Sequence, residues 1–77
     1  MNSFNTHTFS LIADNQPAVV ERLLRVIRHR GFTLHFFELK ATSKDLEIDF
    51  KVESSRAVSL LFNQLEKLYD VKFITLK

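Results

Sequence analysis

The sequence predicts an α+β fold: one four-stranded antiparallel sheet with two helices packed on a single face. Three observations predict it. Apolar residues recur at helical spacing in two separate stretches, 18–30 and 55–69. One segment, 46–53, alternates strictly between apolar and polar residues, as a strand with one wet face must. The joints between segments are short, giving the order β-α-β-β-α-β with no linker, repeat or low-complexity tract. That order is the ferredoxin-like split βαβ arrangement.

The first strand covers 4–13, where Phe9, Leu11 and Ala13 point one way and Thr8 and Ser10 the other. Asp14, Asn15, Gln16 and Pro17 break it. Asn15 is expected to cap the first helix, with Pro17 in the first turn, where a missing N–H costs nothing. Over 18–30, Val20, Leu23, Leu24 and Ile27 form a stripe that Val19 and Val26 widen, with Arg22, Arg25 and His29 opposite. Gly31 ends the helix as a residue able to take positive φ.

Residues 32–42 read as a second strand with a phase change. Phe32 and Leu34 share a face, but downstream the apolar alternation runs Phe37, Leu39, Ala41. One extra residue near His35 and Phe36, a β-bulge, restores a single buried face. Ser43, Lys44 and Asp45 connect to the third strand, 46–53, where Leu46, Ile48, Phe50 and Val52 face inward. Ser54 or Ser55 is expected to cap a second helix reaching about Tyr69. Its stripe is Val58, Leu61, Phe62, Leu65, Leu68 and Tyr69, with Leu60 off it. Asp70 closes the helix, and 71–77 form the last strand.

At 77 residues the chain forms a single domain, 1–77. A domain of this size buries only about 60% of its unfolded surface. With no cysteine and no Cys/His cluster it has neither disulfides nor a structural zinc. Association is the expected source of added stability, in keeping with 45% hydrophobic residues and eight Phe. Net charge is +2, and Arg22, Arg25, Arg28 and Arg30 face only Glu21. Such a run attracts nucleic acid, anionic lipid or an acidic protein surface, or simply solvates a helix. The opening MNSFNTHTFS has no basic region leading into an apolar run, so no secretory leader is expected. No stretch is apolar enough to span a membrane, and a cytoplasmic location follows by default.

Catalysis is not expected. His7, His29, His35 and nine carboxylates are mostly spread along strands or solvent faces. No histidine pair has metal spacing, no glycine loop cradles phosphate, and no serine has an adjacent base. RGFTLHFF (30–37) superficially resembles the basic-glycine-aromatic signature of RNA-recognition motifs. However, it falls on the second strand, an edge, whereas that signature belongs on a central third strand. The third strand here offers Glu47, Asp49, Lys51 and Glu53 on its open face, so it repels phosphate.

Two segments carry a resemblance: ERLLRVIRHRGF (21–32) and SRAVSLLFNQLEKLYDV (55–71). Both are similar to the helices of acetohydroxyacid synthase (acetolactate synthase) small subunits of the isozyme-two type. With the extended pair between them and the strand after, the similarity covers nearly the whole chain. It implies an ACT-type domain and a non-catalytic regulatory subunit. Such a subunit binds and activates a large catalytic subunit carrying thiamine diphosphate, magnesium and FAD, in branched-chain amino-acid biosynthesis. The small subunit itself holds no cofactor and no metal.

In ACT domains the effector amino acid sits between the loop entering the first helix and the second strand of a dimer mate. The matching positions are Asn15, Gln16, Pro17 and Ala18, with His35 and Phe36 from the neighbour. Feedback-sensitive relatives place a glycine where this chain has Ala18, and Pro17 removes a donor. The resemblance therefore implies weak or absent valine binding. A homodimer by pairing of second-strand edges is implied, with Phe36 at the contact. For the catalytic partner the candidates are Arg22, Arg25 and His29 on the first helix, or Arg56 and Leu60 on the second. A free-standing ACT-like amino-acid sensor and a small RNA-binding module stay open as alternatives.

Overall fold

The computed structural model describes residues 5–77. Its elements are β1 (Asn5–Asp14), α1 (Val19–His29), β2 (Thr33–Ala41), β3 (Asp45–Ser54), α2 (Val58–Glu66) and β4 (Val71–Leu76). Phe4, where the sequence starts the first strand, lies outside the described residues. The sheet is antiparallel in the order β2-β3-β1-β4, so β2 and β4 are its edges.

The strict alternation of β3 fixes the inner face. Leu46, Ile48, Phe50 and Val52 are all buried, and pairing places Ala13, Leu11 and Phe9 of β1 beside the first three. Aromatic rings run across the sheet at one level: Phe37 to Phe50 at 6.3 Å, Phe50 to Phe9 at 5.0 Å, and Phe9 to Phe62 of α2 at 6.5 Å. Stacking of this kind adds roughly 0.5–1.5 kcal/mol per pair beyond area burial.

The expected bulge is present. Leu34 pairs with Val52 and Phe36 with Lys51, leaving His35 as the extra residue. Its insertion keeps Phe37 opposite Phe50 in the core and puts Phe36 on the sheet's open face, 50% exposed. Gly31 also behaves as expected, with φ +80°. Its N–H donates to the Arg28 carbonyl and the Phe32 N–H to the Ile27 carbonyl, which is the Schellman closure, with Phe32 and Ile27 both buried.

Five expectations are corrected. Asn15 does not cap α1. The helix starts four residues later, and Ala18 at its N-cap makes no side-chain cap bond. Pro17 consequently sits in the approach turn, outside the first helical turn. The buried line on α1 is Val19, Leu23 and Ile27, with Val20 and Leu24 half-buried. Spacing alone cannot choose between adjacent lines on a stripe this wide; the tilt of the helix on the sheet does.

Neither Ser54 nor Ser55 caps α2, whose N-cap is Ala57. Ser54 is instead the last residue of β3 and is buried. Finally, α2 ends at Glu66, three residues before Tyr69. The Leu68 N–H donates to Leu65 and the Val71 N–H to Leu68, turning the chain into β4 and leaving Tyr69 93% exposed at the tip. Leu68 still packs on the core.

Candidate functional site

The predicted effector residues fall at two ends of the molecule. Asn15 to Ala18 follow β1, next to the β2–β3 hairpin. The Asn15 N–H donates to the Lys44 carbonyl at 3.0 Å, and its Nδ2 donates to the Thr42 carbonyl at 2.8 Å. The side chain proposed as a helix cap therefore serves as a clasp between loop and hairpin. Gln16 N–H is taken by the Asp14 carbonyl at 2.9 Å, and Pro17 has no N–H to give. The loop thus offers a carboxylate few free amides before Ala18.

Gln16, Pro17 and Ala18 border a shallow depression of about 390 Å³, completed by Asp14, Arg22, Tyr69 and Asp70. Arg22 forms an ion pair with Asp70, whose carboxylate is otherwise buried. Sequence reading placed Arg22 on the solvent face. The structure ties it to the α2–β4 turn, with its side chain 45% exposed. Any ligand here meets a guanidinium already engaged by a carboxylate. Asp70 carried no sequence signal for this role beyond its position after a helix, because the pairing crosses 48 residues from Arg22.

His35 and Phe36 lie toward the opposite end of the sheet, beside β3 residues Lys51 to Glu53. His35 Nε2 lies 2.8 Å from Glu53 Oε1. One chain therefore does not bring His35 and Phe36 to the 15–18 loop. Phe36 sits on an edge strand with its ring half exposed.

The partner candidates divide between the helices. Arg25 and His29 are exposed on α1 and border an open groove of about 750 Å³, together with Glu21, Leu24 and Arg28. Arg56 and Leu60 are exposed near the start of α2, Leu60 at 49%. Arg56 lies over Gly31: a Cβ there would meet its Nε at 2.8 Å.

At the hairpin end Asp14 and Asp45 face each other across β1 and β3. Like charges in that position repel. Lys72 of β4 reaches both, at 3.2 Å and 2.6 Å, and its ammonium is held protonated above the ordinary lysine range, first by the hydrogen bond to Asp45 and then by that to Asp14. Among the described residues no three His, Cys, Asp or Glu side chains gather to hold a metal.

The ACT-domain family profile matches residues 15–74. The acetolactate synthase isozyme 2 small subunit of Escherichia coli K12 is 40% identical over 72 residues, covering 91% of this chain and 83% of that protein. The counterpart from Shigella flexneri matches to the same extent. Among solved structures, the ACT domain of a Chlorobium tepidum GTP pyrophosphokinase superposes with TM-score 0.85 at 10% identity, covering 97% of this chain and all of that one. The acetolactate synthase small subunit of Thermotoga maritima superposes with TM-score 0.76 at 19% identity, over 94% of this chain and 47% of that one. At such identities the structural matches speak for the fold alone.

Proposed function

The chain belongs to the ACT-domain small subunits of acetolactate synthase, and from that premise we propose how it acts: as a non-catalytic regulator bound to the enzyme's large subunit. The observation that carries this reading is the 40% identity to the isozyme 2 small subunit over 91% of the chain. The alignment also covers 83% of that subunit, so the likeness extends over most of its length. Condensation of 2-oxo acids, with its thiamine diphosphate, magnesium and FAD, is assigned to the large subunit, in the cytoplasm. Among the described residues no helix is long and apolar enough to cross a membrane.

Activation without catalytic groups is a matter of linkage. A subunit that binds the active arrangement of its partner more tightly shifts the partner's equilibrium by that difference, commonly ~1–3 kcal/mol or roughly 5–150-fold. The expected dimer pairs β2 edges, placing Phe36 and His35 of one copy against the 15–18 loop of the other. Feedback through that seam is expected to be weak. Ala18 adds a methyl where a ligand approaches the backbone, Pro17 withholds a donor, and Arg22 is committed to Asp70.

The direct test mixes the purified chain with its cognate large subunit and follows acetolactate formation and co-elution. A several-fold rise in specific activity is expected; no rise and no co-elution would count against the reading. Valine added to the complex should leave the rate nearly unchanged, whereas strong inhibition would show that the loop binds effector despite Ala18. Calorimetry on the isolated chain across the amino acids separates this reading from that of a free-standing sensor, which must bind a ligand without a partner.

A further inference from the structure

Charge is most unevenly distributed on α1. Four arginines and one glutamate within 21–30 make a net +3, while the whole chain carries +2, so the remainder is slightly acidic. The structure divides this run. Arg22 turns to Asp70. Among the described residues Arg25 and Arg28 have no carboxylate within ion-pair distance, and Glu21, one turn before Arg25, does not reach it. Arg25 stands three residues from Arg28, a spacing at which like charges destabilise a helix. Arg28 and His29 lie in the last turn, where the helix dipole favours cations. Arg25 lies outside it, with Glu21 on the preceding turn but beyond ion-pair distance.

The same side chains wall the open groove of about 750 Å³, and half-buried Leu24 is the apolar residue lining it. We propose that this groove is the docking surface for an acidic segment of the large catalytic subunit, with an apolar side chain of that segment set against Leu24. The inference rests on the regulatory-subunit reading and names the surface that reading requires. Charge complementarity selects the occupant, because two unpaired arginines outweigh the one glutamate around Leu24, which disfavours a basic or wholly apolar segment and draws an acidic one in from a distance. Single-stranded nucleic acid would call for a platform of stacking aromatics, and no Phe, Tyr or Trp lines this groove, whose one ring is the His29 imidazole. The competing surface on α2 offers one exposed leucine, Leu60, near a guanidinium that lies over Gly31, and a lone exposed leucine is ordinary.

The experiment measures affinity for the cognate large subunit, and stimulation of it, by the full chain and by R25E/R28E, R25K/R28K and L60S. Salt is varied from about 0.05 to about 0.5 M, across which the screening length falls severalfold. Wild-type Kd should rise with salt, and R25E/R28E should weaken binding by at least ~10-fold while still unfolding cooperatively from a folded state. R25K/R28K should restore most of the affinity, and L60S should bind as wild type does. Charge reversal without effect, salt-independent wild-type binding, or loss confined to L60S overturns the inference and leaves the regulatory reading standing. So does tight binding of single-stranded RNA that competes with the large subunit. A wild-type chain that neither binds nor stimulates the large subunit overturns both.

Discussion

Gly31 and Ser54 hold the ends of two elements together. Gly31 closes α1 at φ +80°, in the left-handed region where a Cβ costs roughly 1–2 kcal/mol. Gly31→Ala is therefore expected to lower stability by about that amount, read as a shift of the urea midpoint. The Arg56 side chain that a methyl would meet is flexible and can move aside, so backbone conformation sets the cost. Buried Ser54 donates to the Gly31 carbonyl at 2.9 Å and accepts the Arg56 N–H at 3.0 Å. Ser54→Ala leaves both groups without that partner and is expected to cost about 1–3 kcal/mol. Ser55→Ala, at the other predicted cap, should be nearly neutral. Equal losses at the two serines would contradict the observed geometry. The sequence marks Gly31 unmistakably because it is the sole glycine, after a run of helical spacing. It marks Ser54 only as a residue near a helix start, since its partner Gly31 lies 23 positions away.

The bulge in β2 sorts two adjacent phenylalanines into different roles. Phe37 stacks near Phe50 and packs against the core, whereas Phe36 faces outward opposite Lys51. Phe37→Ser is expected to destabilise the fold by about 2–4 kcal/mol, and Phe36→Ser to leave chemical unfolding nearly unchanged when both are compared at one protein concentration below dimer formation. Reversed effects would mean that the register is shifted by one. At the other end of the sheet, Lys72 bridges Asp14 and Asp45. Because its folded-state pKa is raised, its contribution is fully present below the unfolded lysine value of about 10.4 and is lost as pH climbs through the higher folded value. Urea midpoints of wild type and Lys72→Met should therefore differ at pH 9 and converge toward strongly alkaline pH; a gap that does not narrow would rule out the linkage. These element-level features were partly legible beforehand. The bulge shows in the broken alternation along 32–42, but the lysine bridge depends on strands distant in sequence becoming neighbours.

A two-layer molecule with helices on one side leaves much of its apolar surface at the rims. Phe36 and Leu39 are exposed on the β2 edge, and Phe73 and Leu76 on the β4 edge. The regulatory reading places a second copy on β2, and mass action then ties stability to concentration. Thermal midpoints should rise with protein concentration for wild type and not for Phe36→Glu, which sets a charge in the seam; sedimentation of both as monomers would remove the homodimer from the proposal. The sequence by itself determined the element order, the inner face of the sheet, the glycine closure and the bulge, because each rests on local periodicity or on one residue's backbone freedom. It also carried the likeness to acetolactate synthase small subunits, which the comparisons bear out. Tertiary structure alone decided that Asn15 clasps a hairpin, that Tyr69 is left outside, that Asp70 claims Arg22, and that Arg25 and Arg28 stay unpaired on an open groove. Those outcomes depend on which distant segments meet and how far each helix runs before the chain must turn into the sheet, and no local pattern encodes either.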